Sequence, residues 1–305
     1  MWENMATGIG AFLATYLIHS TLLCGCAWLL ARSALGAGPR RRELLWKGAL
    51  LGGIATSLLQ TQLPLPQRVW DFSIAAVESP SDPVAMTQPQ PMQPVFVTPD
   101  QAAVGFAEHG NSSNGAPAAV QSPARQSFGP SGWMLLVALW PAISAPLVLR
   151  LLYSAFRLEG CAPRAAIAPP SELLLLVRRI SAEVGLRGGV RLVLSNRYGG
   201  PMVAGLLRGT LYLPPELLER LDRAQLEGLL AHELSHLARR DTRWNFYAGL
   251  VCSVFFFQPL NFWLRRQMRY EAELLADARS ASALRDGLGL ARCLAALAEW
   301  RPAPA

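Results

Sequence analysis

The sequence predicts a mainly α membrane protein: three amino-terminal transmembrane helices, then a small α+β domain that carries a membrane-associated helical hairpin. Three observations lead there. Hydrophobic residues make up 51% of the 305, charged residues only 16%, and the mean hydropathy is +0.24, whereas a soluble domain is about a quarter charged. The apolar residues gather in uncharged runs of bilayer-spanning length. Lys and Arg are absent between Arg68 and Arg125 but crowd the segments on either side. So much apolar side chain excludes global disorder, and five Cys are too few for a disulfide scaffold.

The first span is the uncharged run Asn4 to Ala31. It opens after Glu3 rather than a basic stretch and is too long for a cleaved signal peptide, so it is expected to stay. A basic loop follows, Arg32, Arg40, Arg41, Arg42 and Lys47 against the single acid Glu43. The second span is the run Gly48 to Gln67, apolar as far as Leu59, so residues 1–62 form two spans joined by that loop. Residues 63–131 are rich in Pro, Gln, Ser and Ala, cannot bury a core, and are expected to be a disordered extracytoplasmic loop containing His109. The third span, within 132–156, tolerates Pro141 and Pro146 because neighbouring helices can satisfy the freed backbone groups. Arg150, Arg157, Arg164, Arg178 and Arg179 then put everything after it on the cytoplasmic side. The net charge of +7 is therefore a topological signal, and no motif for nucleic-acid binding accompanies it.

Residues 157–305 read as a folded cytoplasmic domain. An amphipathic helix spans Leu173 to Val184 with Ser171 as N-cap. Strands are expected at Val190–Leu194, Met202–Gly205 and Thr210–Leu213. Pro214-Pro215 starts a short helix, Glu216 to Leu221, and a longer one runs from Arg223 to Arg239.

That longer helix contains His232-Glu233-Leu234-Ser235-His236. Four residues are nearly one turn, so both imidazoles project from one face and can bind one Zn²⁺. Glu233 lies one position along, where it acts as general base on the attacking water. A catalytic zinc needs a third protein ligand. His19 falls in a span, His109 outside the membrane, and Cys252 in an apolar run. The run Tyr270-Glu271-Ala272-Glu273-Leu274-Leu275-Ala276-Asp277 is the better source. Glu273 and Asp277 share a helix face, an arrangement consistent with Glu273 as a ligand and Asp277 holding a ligand His. Tyr270 and Tyr247 are candidates for an oxyanion or general-acid group.

Leu229 to Asp241 with Asn245, Phe257-Gln258-Pro259-Leu260-Asn261-Phe262-Trp263 and Glu273-Leu274-Leu275-Ala276-Asp277 resemble the membrane metallopeptidases of the BlaR/MecR antirepressor type. The resemblance implies a zincin-like metallopeptidase domain and maps the third ligand onto Glu273. Ala276 stands where a Cys is common in that family and touches no ligand. Asp241 and Asn245, inside the matching stretch, join Asp277 as expected supports of the site. No segment up to Ala305 resembles the family's sensor domain, so sensing is expected of a separate protein.

The zinc site constrains the uncharged run 244–264. His232 and His236 precede it and Glu273 follows it, so a simple crossing would separate the ligands. A helix of about 14 residues before Pro259 covers roughly 21 Å, less than the 30 Å core, and can turn and return. The expectation is a zinc endopeptidase of the bacterial inner membrane with its active site facing the cytoplasm. Its substrate is a protein or peptide, repressor-like by the resemblance, presented to the strand edge near Gly205–Leu213. The alternatives are a quality-control or CAAX-processing peptidase and a catalytically silent signalling adaptor.

Overall fold

The computed structural model describes residues 2–62, 132–160, 168–284, 291, 292 and 295. Its helices are α1 (Trp2–Arg32), α2 (Pro39–Gln62), α3 (Gly132–Gly160), α4 (Ser171–Glu183), α5 (Glu216–Arg220), α6 (Arg223–Arg239), α7 (Asp241–Val254) and α8 (Pro259–Leu284). Strands β1 (Arg191–Leu194), β2 (Met202–Ala204) and β3 (Thr210–Leu213) lie between α4 and α5. The expected disordered loop at 63–131 lies outside the described residues.

Two helices among the described residues are long and apolar enough to cross a bilayer, Met5–Arg32 within α1 and Met134–Glu159 within α3. α3 runs unbroken through Pro141 and Pro146, and only 6% of its apolar window is buried inside the protein, so its side chains face outward. The second expected span falls short here. α2 is a helix, but it begins with Arg40, Arg41, Arg42, Glu43 and Lys47. The apolar stretch after them, Gly48 to Leu59, covers only about 18 Å of a roughly 30 Å core. α2 packs closely on α1: a Cβ at Gly53 would come within 3.0 Å of Ser20, the kind of approach that small residues permit between helices.

α6 contributes to one apolar core, and a second lies among α1, α2, α7 and α8. In the first, Leu173, Val177 and Ile180 of α4 and Leu192, Leu194, Leu211 and Leu213 of the sheet pack against Leu229, Leu230, Leu234 and Leu237. The second joins Tyr16 of α1, Trp46 and Leu50 of α2, Ala248 and Val251 of α7, and Leu264 and Met268 of α8. The sheet order is β1-β3-β2, with β1 parallel and β2 antiparallel to β3. The central strand is thus Thr210–Leu213, and the edges are Arg191–Leu194 and Met202–Ala204 rather than the Gly205–Leu213 segment expected. Strand order depends on the crossover, which local alternation does not encode. Ser171 is likewise the first helical residue, not the cap; Pro170 occupies the N-cap without a side-chain bond.

α7 and α8 form a helical hairpin about the turn Phe255–Gln258. α7 has 14 residues, about 21 Å, and the 14 steps from Pro259 to Glu273 return the chain by a similar distance. The ends of the hairpin therefore come back to one level. Its turn is tied to the middle of α1: Gln258 Nε2 donates to Ser20 Oγ at 2.7 Å and Thr21 Oγ1 at 3.0 Å. Asn261 Nδ2 donates to Tyr16 Oη at 2.9 Å, and the Tyr16 and Phe255 rings stack at 3.7 Å. Trp140 Nε1 of α3 donates to Val254 O at 2.7 Å, satisfying a carbonyl at the end of α7 that the helix itself leaves open.

Candidate metal centre

The site is built on α6, which a reciprocal cap starts firmly. Asp222 Oδ1 accepts from Gln225 N at 2.8 Å while Gln225 Oε1 accepts from Asp222 N at 2.9 Å, satisfying two of the open donors of the first turn. Leu230 and Leu234 are buried on the sheet side, which turns His232 and His236 the other way. The helix ends at Arg240, the only non-glycine at positive φ among the described residues (φ 63°). That conformation costs a residue with a Cβ about 1–2 kcal/mol, and here it reverses the chain within one residue. Asp241, first in α7, is folded back onto the histidine five positions before it.

The two histidine rings are nearly perpendicular (83°), with His236 Nε2 3.3 Å from His232 Nε2. Glu273 Oε2 of α8 lies 3.5 Å from the first of these atoms' partner, His232 Nε2, and 3.6 Å from His236 Nε2. These three residues form the one group among those described whose ligand atoms lie close enough to share a metal ion. The far side of each ring meets a carboxylate: His236 Nδ1 lies 2.9 Å from Asp241 Oδ2, and His232 Nδ1 2.9 Å from Asp277 Oδ1. The second approach is close, but its angle falls short of hydrogen-bond geometry. A carboxylate at Nδ1 favours the tautomer that leaves the Nε2 lone pair free. Two such lone pairs aimed at each other repel unless positive charge sits between them. The spacings also suit a tetrahedral ion, for which bonds of about 2.0–2.2 Å put ligand atoms about 3.3–3.6 Å apart. The donor set fits zinc.

The electrostatics agree. Burial alone would lower the His236 pKa, but the contacts with Asp241 and Glu273 outweigh it and lift it to about 10. His232 is raised too, its contact with Glu273 overcoming burial. The two imidazoles hold the Glu273 carboxyl far below the usual range. Both imidazoles of the cluster therefore favour their protonated forms. Glu233 is raised, chiefly by burial, with the two imidazoles opposing the shift, the direction useful to a group that must accept and return a proton.

A cavity of about 430 Å³ opens onto the cluster. Pro201, Met202 and Val203 of the β2 edge border it on one side, and Arg265, Arg269 and Ala272 of α8 on the other. Glu233 and Asn245 line it, although Asn245 bonds no ligand and instead accepts from Arg265 Nε at 3.1 Å. The structure does not bring Tyr247 or Tyr270 to the cavity. Tyr247 is 49% exposed and Tyr270 58%; each sits on its helix well round from the face the cavity touches. Glu271, adjacent to Tyr270, faces away from the metal cluster, is buried, and takes a two-pronged bond from Arg42 at 2.6 and 3.2 Å.

The sequence reading missed Glu43 and Lys47 of α2, which also line the cavity, and Arg239, which bridges Asp241 Oδ2 at 3.1 Å and Glu43 Oε1 at 2.8 Å. The one available signal was that Glu43 is the lone acid in an otherwise basic loop.

The model of the BlaR1 peptidase M56 family matches residues 68–287. The chain is 27% identical to the regulatory protein BlaR1 of Bacillus licheniformis over 140 residues, 46% of this chain and 23% of that protein. It is 28% identical to the methicillin resistance mecR1 proteins of Staphylococcus aureus and Staphylococcus epidermidis over 83 residues, 27% of this chain and 14% of each of them. The matched stretches thus span less than a quarter of those relatives' length.

Proposed function

From the premise that this chain belongs to the BlaR1 peptidase M56 family, we propose that it is a membrane-embedded zinc endopeptidase that cleaves a cytoplasmic regulatory protein in signal transduction. The observation that carries this reading is the meeting of His232, His236 and Glu273 around one point, with Glu233 beside it in the same cavity.

His232, His236 and Glu273 would hold the zinc, which when bound supplies Lewis acidity to the scissile carbonyl and lowers the pKa of water towards neutrality. Asp241 orients the His236 ring, and Asp277 lies against the far side of the His232 ring. Glu233 takes the proton of the attacking water on its carboxylate and returns it to the leaving amine nitrogen. The substrate enters extended and adds antiparallel to β2, the edge strand that borders the cavity. Such an entry suits an unstructured segment of a repressor-like protein. That substrate class is carried over from the family resemblance and from the relative described as a regulatory protein.

Three spans thread the chain in this reading, within α1, α2 and α3. The α7–α8 turn bonds to Leu17, Ser20 and Thr21, near the midpoint of the Met5–Arg32 window. The hairpin therefore dips about halfway into the bilayer and comes back. Its buried Gln258 and Asn261 find partners on α1, as polar groups at that depth must. The metal ligands sit at the hairpin's open end, on the side of the basic residues Arg40 to Arg42, which the positive-inside rule assigns to the cytoplasm.

The test compares membranes containing the wild type with membranes containing Glu233→Ala. Bound zinc is measured together with cytoplasmic protein fragments by mass spectrometry. Equal zinc with loss of specific fragments is the expected outcome. Equal zinc with identical fragments would favour an adaptor that binds metal without cleaving.

A further inference from the structure

A continuous chain of ionic contacts leads from the metal cluster to α2. His236 Nδ1 meets Asp241 Oδ2 at 2.9 Å, and the same oxygen accepts from Arg239 Nε at 3.1 Å. Arg239 Nη2 donates to Glu43 Oε1 at 2.8 Å, and that oxygen also accepts from Lys47 Nζ at 2.7 Å. The side chains of Glu43, Asp241 and Arg239 are only 7%, 11% and 13% exposed, so water screens these charges weakly. We propose that Glu43 is a positioning residue for the metal centre, orienting His236 through Arg239 and Asp241, so that α2 is part of the support of the metal site. The proposal rests on the zinc reading above.

Two physical effects give Glu43 this role. A guanidinium is a planar fork, and with one arm on Asp241 and another on Glu43 it can occupy only one orientation. Without Glu43 it is free to swing, and the Asp241 oxygen that orients His236 moves with it. Charge acts in the same sense. Lys47 and Arg239 are two cations lining or backing the metal cavity, and Glu43 contacts both. Loss of its negative charge leaves Lys47 without its carboxylate and Arg239 with Asp241 alone, beside a site for a dication. A second contact from the adjacent residue of α2 holds the other ligand-bearing helix. Arg42 grips the buried Glu271, two residues before Glu273 on α8. One turn of α2 therefore contacts both sides of the metal site, across more than 190 residues of sequence.

The experiment uses the full chain in lipid nanodiscs, stripped of metal and titrated with Zn²⁺ and, for its absorption bands, Co²⁺. The variants are Glu43→Gln, Arg239→Lys, His236→Ala and, as a control on the exposed face of α2, Arg41→Gln. Thermal unfolding of each metal-free form is recorded alongside. Glu43→Gln is expected to weaken Zn²⁺ by about 10-fold, the lower end of what supporting partners contribute, and to shift the Co²⁺ bands, while Arg41→Gln matches the wild type. Wild-type affinity and an unchanged Co²⁺ spectrum in Glu43→Gln would overturn the proposal, even if its thermal stability fell. Should Glu43→Gln not fold, Arg239→Lys decides on the same readouts, because it keeps the charge but cannot span both acids. If His236→Ala binds Zn²⁺ as tightly as the wild type, it is the metal site itself that fails, whatever Glu43 does.

Discussion

The two histidines of the motif are one helical turn apart and chemically identical, yet they are held in different ways. His236 leans on Asp241, whose side chain is 11% exposed and tied through Arg239 to α2. His232 leans on Asp277, 43% exposed, at a similar distance but a poorer angle. A carboxylate locked in a weakly screened network constrains its ring more than one free to exchange with water. One histidine of the cluster is held firmly by the fold, and the other is constrained less.

Replacing the supporting carboxylates tests this asymmetry with the largest effect. Asp241→Ala should weaken zinc binding about 10- to 100-fold, as loss of a well-made supporting partner does. Asp277→Ala should cost less than about 10-fold. Competition titration against a chromophoric chelator measures both, and equal losses would erase the distinction.

The pH dependence is expected to be smaller and is specific in sign. In the metal-free chain the His236 pKa is raised to about 10 from an unfolded value near 6.5. Its protonation therefore stabilises the fold fully below pH 6.5, and that contribution is lost as pH rises towards 10. The melting temperature of the chelated protein should fall by a few degrees over that range, and by less in Asp241→Ala. Zinc affinity should rise over the same range, because bound protons no longer compete.

Much of this was legible in the sequence, and the exceptions have a common cause. The His-x-x-x-His spacing and the Glu273–Asp277 interval place side chains on helix faces by local geometry alone. The uncharged run broken at Pro259, together with the need for Glu273 to rejoin the histidines, indicates a hairpin. What escaped was long-range. Glu43 looks like one acid among arginines, and its contact with Arg239 bridges 196 positions. Which strand lies in the centre depends on the crossover from β1 to β2, which leaves room for β3 between them. Tyr247 and Tyr270 lie near the right residues in sequence but off the cavity-facing sides of their helices; spacing fixes their angle to Asn245 and Glu273, but which arc of each helix borders the cavity is decided by packing.

Those two tyrosines supply the smallest predicted effect. Tyr247→Phe and Tyr270→Phe should each leave fragment yield within about twofold of the wild type, since hydroxyls outside the cavity cannot stabilise charge within it. A large loss in either would mean that the site closes around substrate far more than this geometry implies.

Calorimetric titration of Zn²⁺ into the metal-free full chain, wild type against Glu273→Ala, bears on the central claim most directly. A three-ligand site predicts one tight equivalent in the wild type and a loss of about 100-fold or more in the variant, beyond what any single supporting partner contributes. Equal affinity in the two would show that the hairpin does not deliver its carboxylate to the ion.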